Sequence, residues 1–463
     1  MDLFRKKEIN SLTDCSEHLL KCLSATDLTF LGIGAIIGAG IFVLTGIVAA
    51  TQTGPAIVFS YIMAGLACAF SALSYAELAA AIGGCGSAYG YAYAGFGEFI
   101  AWIVGWDLLL EYSIAVSAVS VGWSSYFNDF LLAMKIHIPV FLLHGPVDGG
   151  IINLLAMSII GVLSILLIWG VKSSSRFNTI MVLVKLVVIF LFIAVAVMEV
   201  NPKNWVPFSP FGWSGVMQGA SLIFFAYVGF DAVSTAAEEA LHPQRDLPIG
   251  IIGSLLICTT LYIIVSGLLT GIVHYSTLNV ASPISRSLLM LGYKTVAGMV
   301  GVGAIAGLTT VMLVLFYGLS RVFFAMARDG LLPQFFSVIN IKTRTPVRII
   351  ILCGLIMALT SAFVPIGDLA ELVNIGTLFA FVIVCSGVII LRYTRPDLPR
   401  PFKTPFMPYV PILGIVSCVY LIFNLPWFTM LRFIIWMMIG MLIYFTFSRL
   451  NSTLQKSQEC PAE

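Results

Sequence analysis

The sequence predicts an all-α membrane protein of twelve transmembrane helices, and three observations carry that expectation. Only 10% of the 463 residues are charged and 59% are apolar, whereas soluble domains carry about a quarter charged residues. Apolar runs near the roughly 20 residues that cross the hydrocarbon core recur along the chain. Lys and Arg divide unevenly between the connections on the two sides.

The expected spans run over 27–52, 55–82, 96–127, 151–171, 178–198, 214–240, 248–273, 297–327, 346–364, 367–392, 408–425 and 429–448. With the amino terminus inside, 18 of the 24 Lys and Arg fall in cytoplasmic segments. Five lie outside (Lys135, Lys203, Arg286, Lys294, Arg432), and Lys185 falls within span 5. That bias places both termini in the cytoplasm, and the chain is expected to cross the plasma (inner cell) membrane many times. Residues 1–26 form a cytoplasmic segment too charged and polar for a cleaved signal. It reads equally as a surface amphipathic helix or as disorder.

The spans divide as five, five and two. Residues 27–198 and 214–392 are expected to be repeats of opposite orientation, because spans 1 and 6 share an unusual feature. Residues 408–448 follow a Pro- and Arg-rich loop as an appended pair, and 449–463 form a cytoplasmic tail. Between spans 7 and 8, Pro283–Leu291 reads as a surface helix. A short helix is expected within Gly83–Gly97.

The shared feature is a run that helices normally avoid. Span 1 carries Gly34-Ala-Ile-Ile-Gly38-Ala-Gly40-Ile41-Phe42, and span 6 carries Phe224-Phe-Ala-Tyr-Val-Gly229-Phe230-Asp231. A lone Gly34/Gly38 pair reads as helix–helix packing. Five glycines between 32 and 46, with a second break 191 residues after the first, favour two unwound centres instead. Backbone that leaves the helix in hydrocarbon must be satisfied by protein, water or ligand. Amides near Gly38, Ala39 and Gly40 open a new helix and attract an anion. Carbonyls of Phe225, Ala226 and Val228 suit a cation. An anion cradle beside a carbonyl cluster describes an α-amino acid zwitterion. The glycine run lacks G-x-G-x-x-G spacing after a strand, so it is no dinucleotide site.

Lys185 is the sharpest single residue, since intramembrane cations are costly and usually functional. Snorkelling to the headgroups is the competing reading. Asp107 and Glu111 share one face of span 3. Glu111 reads as a structural acceptor toward span 1 or 10, or as a second proton carrier. Asp231 reads as the cap of the resumed span 6 helix, while Glu238, Glu239, Arg245 and Arg328 read as gate and packing charges at the cytoplasmic face. Phe225, Phe230, Leu315 and Phe316 narrow and dry the pocket, which favours small or branched neutral amino acids.

Several exclusions follow. Nine cysteines show no Cys-x-x-Cys spacing and read as apolar fillers. The five histidines lie outside the spans or at their ends without ligand spacing, so no metal or other cofactor is expected, nor an enzyme. A channel would need a continuous polar lining. A net charge of +2 gives no sign of nucleic acid. The expected partners are the amino acid and the lipid bilayer; a small membrane-protein partner is left open.

The string Leu31-Gly-Ile-Gly-Ala-Ile-Ile-Gly-Ala-Gly-Ile-Phe42 resembles the first span of the amino acid–polyamine–organocation (APC) transporters. So do Phe224–Asp231, Gly105-Trp-Asp-Leu-Leu-Leu-Glu111-Tyr112, Arg328-Asp-Gly-Leu-Leu-Pro333 and Asn374-Ile-Gly-Thr-Leu-Phe-Ala-Phe381, each for its own part of that fold. Within the superfamily the chain is most similar to bacterial relatives of the cationic amino acid transporters, over Asp27 to Phe447. The resemblance implies a LeuT-like fold of two inverted five-helix repeats plus two C-terminal helices. It implies that the Ile36 carbonyl, the Ala39 and Gly40 amides and the Phe225, Ala226 and Val228 carbonyls hold substrate, with Phe225 as an aromatic lid. A common variant has a hydroxyl residue in place of Ala39. Lys185 resembles the lysine that replaces a sodium ion in proton-coupled members, reaching span 1 carbonyls and Thr309 or Thr310 of span 8. The expectation is a permease importing neutral amino acids with protons; exchange, or transport of cationic amino acids, is the alternative.

Overall fold

Helices occupy each of the expected intervals in the computed structural model, which describes residues 5, 23–82, 87–169, 175–235, 240–280, 282–340, 343 and 345–455. Among these residues the only β pairing is an isolated bridge between Leu23 and Ala240. Eight helices are long and apolar enough to cross a membrane by length and composition, and four apolar helices are shorter.

Span 1 is split into Ala25–Ile36 and a second half resuming at Gly40. Ser24 and Asp27 start the first half as a reciprocal capping box, with Ser24 N to Asp27 Oδ2 at 3.0 Å and Asp27 N to Ser24 Oγ at 3.3 Å. The second half is wound loosely, as π-helical turns over Gly40–Leu44 and Ala49–Thr53. Span 2 is Ile57–Ile82, and a short helix Ser87–Gly95 leads into span 3, Glu98–Ala133. Spans 4 and 5 are Leu154–Ile168 and Ser175–Met198. Span 6 is Gly212–Ile223, tightening to a 3₁₀ turn over Phe224–Tyr227 and resuming as Ala232–Thr235. Span 7 (Pro243–Ile272), a lateral helix Pro283–Met290, and spans 8 to 10 (Lys294–Arg328, Val347–Phe363, Ile366–Thr394) follow. Spans 11 and 12 begin at Tyr409 and Trp427.

The two ends of the described chain share one end of the bundle. Glu98 N donates to the Arg5 carbonyl at 2.9 Å, and Ser452 Oγ donates to Glu98 Oε2 at 2.5 Å. At the carboxyl end of span 2, Glu77 is buried and accepts both Arg392 Nε (2.8 Å) and Nη2 (2.7 Å). Thr404 N adds a third bond at 2.7 Å. Glu77 therefore ties span 2 to span 10 and to the loop before span 11. Apolar side chains stay exposed on spans 5, 11 and 12, Val187 and Leu442 among them, as expected of surfaces that face lipid rather than water.

Most of segment 1–26, and Glu238 and Glu239, lie outside the described residues. The expected lateral helix and the short helix before span 3 are both present.

Candidate functional site

The two breaks meet. A Cβ added to Gly40 would stand 2.3 Å from both Cα and Cβ of Ala226, so only glycine lets the two backbones approach this closely. At the other side of the break, Gly229 holds φ at +115° with its Cα beside the Ala35 carbonyl; a Cβ there would lie 3.0 Å from that oxygen. Gly38 turns toward span 8, where Val311 Cγ2 would stand 3.2 Å from an added Cβ. Ile36, Ala39, Phe225, Ala226, Val228, Phe230 and Leu315 are all buried around this contact.

Ending a helix at Ile36 strands the carbonyls of its last turn. Two side chains from other spans take them up. Lys185 is fully buried, and its Nζ donates to the Gly34 carbonyl at 2.7 Å and the Ile37 carbonyl at 3.1 Å. A lysine in this place caps the broken helix and opposes the negative end of its dipole. Tyr262 of span 7 lies 2.9 Å from both the Ile36 and the Ala226 carbonyls. One phenol proton thus serves an acceptor from each break. At the start of the second half, Thr45 Oγ1 donates to the Gly40 carbonyl at 3.0 Å and sits 2.6 Å from the Tyr61 hydroxyl. Tyr61, Tyr227 and Tyr262 pack ring on ring, with centroids 5.2 to 6.3 Å apart.

Snorkelling does not describe Lys185: its stem lies along Gly307 of span 8, where a Cβ would meet Lys185 Cε at 3.0 Å. The threonines expected beside it are engaged elsewhere. Trp123 Nε1 donates to Thr309 Oγ1 at 2.9 Å, and Thr310 Oγ1 donates to the Gly307 carbonyl at 2.8 Å. Gly307 of span 8 faces span 5, and Thr310, one turn on, is tied to its carbonyl. Lys185 therefore joins spans 1, 5 and 8 through main-chain carbonyls and stem packing.

Phe230 is held by aromatic neighbours. Its ring joins Tyr75 (5.8 Å) and Phe381 (5.0 Å) in a cluster that continues to Phe224. Asp231 opens the resumed turn by accepting Ser234 N at 2.9 Å, while its Oδ2 takes the Tyr112 hydroxyl at 2.7 Å. Span 6 is thereby pinned to span 3. Asp107 and Glu111 are buried and face span 10: a Cβ on Gly376 would lie 2.8 Å from Asp107 Oδ1 and 3.9 Å from Glu111 Cβ.

Sequence reasoning missed Tyr262, Tyr61 and Thr45. A tyrosine in an apolar span gives no signal by itself, and only the meeting of spans 1, 6 and 7 makes it a shared donor.

Two broken helices that meet inside a bundle of long apolar helices are the mark of a transporter rather than an enzyme. The amino acid permease family model matches residues 23–447, and the chain belongs to that family, within the APC superfamily. It is 50% identical over 462 residues to the branched-chain amino acid permease BcaP of Bacillus subtilis, covering 98% of this chain and 99% of that protein. It is 48% identical to the methylthioribose transporter of the same organism, over 98% and 99%. Cationic amino acid transporter 4 of Arabidopsis thaliana (vacuolar) is 40% identical over 85% of this chain and 68% of its own length.

Proposed function

We propose that the protein is a proton-coupled permease that imports neutral, branched or small amino acids across the cell membrane. The observation that carries this reading is the contact of the two breaks, Gly40 against Ala226. In this reading the amides that begin the second half of span 1 lie beside the carbonyls of the span 6 turn. A carboxylate suits the first group and an ammonium the second. Buried apolar side chains, Leu315 and Phe225 among them, suit an aliphatic side chain.

In this reading twelve spans cross the bilayer with both termini cytoplasmic, and 27–198 and 214–392 rock against each other as inverted repeats. Residues 408–448 support the second repeat. Lys185 carries the coupling. With its proton it holds the Gly34 and Ile37 carbonyls; once it loses a proton and turns away, the first half of span 1 is released to move. Glu111 is a candidate second proton carrier beside Asp107. No metal or other cofactor takes part.

Branched-chain substrate is favoured by the name of the 50% identical Bacillus relative. Methylthioribose, suggested by the second relative's name, is an uncharged thioether sugar and lacks the carboxylate that the span 1 amides would take. The test is uptake into liposomes of labelled leucine, isoleucine, valine, alanine, arginine and methylthioribose, with and without an inward proton gradient. Gradient-driven leucine or isoleucine uptake supports the proposal. Efficient displacement by arginine, or uptake of methylthioribose alone, overturns the substrate assignment. Full counterflow with no response to a proton gradient makes the protein an exchanger.

A further inference from the structure

We propose that a cavity at the end of the bundle away from the termini is a second small-molecule site, built for a solute bearing a primary ammonium group. The cavity has a volume of about 390 Å³. Gln52 borders it from the far end of span 1, Gln218 and Leu222 from the first half of span 6, Glu371 from span 10, and Asn424 from the connection between spans 11 and 12. Leu222 alone adjoins a break, its carbonyl accepting the Phe224 amide at the start of the span 6 turn.

The lining is rich in oxygen acceptors that the protein itself leaves unused. Gln52 Oε1 is buried and has no hydrogen-bond partner. Glu371 takes the Thr429 hydroxyl on Oε2 at 2.6 Å, and no described bond reaches its Oε1. Asn424 spends its amide nitrogen on the Tyr420 carbonyl at 2.8 Å, which leaves its side-chain oxygen as an acceptor. A buried oxygen without a donor, as on Gln52, calls for a partner. An ammonium group has three N–H donors and no acceptor, which matches such a set. Charge points the same way. The nearest cation, Arg432, pairs with Asp368 at 3.2 Å, and these two offset each other. Among the residues lining the cavity, Glu371 is the one ionisable side chain.

The walls also give the site a consequence. Gln52 stands on the second half of broken span 1, and Gln218 on the first half of broken span 6. Asn374 of span 10 donates to the Leu222 carbonyl in the same wall at 3.0 Å. A solute seated here would bridge both half-helices to span 10. Its affinity must then change whenever those halves move, which couples the pocket to the transport cycle.

The test places a reporter thiol at the exposed Gln218 and measures its modification by a maleimide, read at that residue by peptide mass spectrometry. Ethylammonium is the probe, because it lacks the carboxylate a central cradle would take; its result stands even if the amino acid reading fails. At twice its dissociation constant it leaves about a third of sites free, so modification of Q218C slows about threefold. Adding Glu371→Gln to Q218C abolishes the slowing, and tetramethylammonium, with no N–H, gives none. Gln52→Leu, made in case Glu371→Gln fails to fold, weakens the effect too. No slowing by ethylammonium, or equal slowing with and without Glu371, overturns the proposal.

Discussion

Replacing Lys185 by Met keeps most of the stem packed against Gly307 while removing the group that caps span 1. The carbonyls of Gly34 and Ile37, at 2.7 and 3.1 Å from Nζ, are then stranded in a buried setting. Each acceptor left without a donor costs about 1–3 kcal/mol, so the pair costs about 2–6 kcal/mol in the conformation described above. At 1.4 kcal/mol per decade the lower figure shifts that conformation's population about 30-fold. Purified variant in liposomes is assayed for labelled leucine in two ways: accumulation driven by an imposed pH gradient, and counterflow without one. Accumulation is expected to fall to the protein-free background, with counterflow persisting at a rate lowered by about 30-fold or more. Lys185→Arg separates the two roles, because a guanidinium still donates but does not release its proton. It should retain counterflow better than Lys185→Met and show the same loss of gradient drive. Accumulation by Lys185→Met that still tracks the gradient would refute the coupling role outright.

Gly40→Ala forces a Cβ to within 2.3 Å of Ala226; overpacking of about 1–3 kcal/mol should weaken leucine binding about five- to 150-fold in an equilibrium binding assay. Gly38→Ala meets only the Val311 methyl at 3.2 Å, so the same assay should show a milder loss. Tyr262→Phe removes the donor shared by Ile36 and Ala226. It is expected to cost about 1–3 kcal/mol, seen as a lower melting temperature in detergent and weaker leucine binding. Glu77→Gln breaks the bidentate bond to Arg392. Because Arg392 is partly exposed, the loss should fall near the lower end of the about 3–5 kcal/mol typical of a broken buried pair. Melting temperature should fall while leucine affinity is kept.

The span intervals and the two breaks were legible because they depend on properties local to the chain. Apolar runs are costly in water, and a glycine run weakens a helix wherever it lies. Lys185 stood out for a similar reason: an ammonium group in an apolar span demands an explanation on its own. The permease family was legible too, since five ordered motifs carried it and the family model covers 23–447.

What faces what was not legible. A span that is apolar all round carries no polar stripe to set its rotation about its own axis. The sequence offered Thr309 and Thr310 of span 8 to Lys185 and gave no sign that the lysine stem packs on Gly307. It gave no sign that the Phe230 ring packs on Tyr75 and Phe381. Tyr262 escaped notice because its role exists only where carbonyls from two different breaks come within 2.9 Å of one hydroxyl. The sequence by itself determined where the helices lie and where two of them must stop. Tertiary packing decided which side chains satisfy the backbone left open, because that depends on helix rotation and close approach, and these are properties of the assembled bundle.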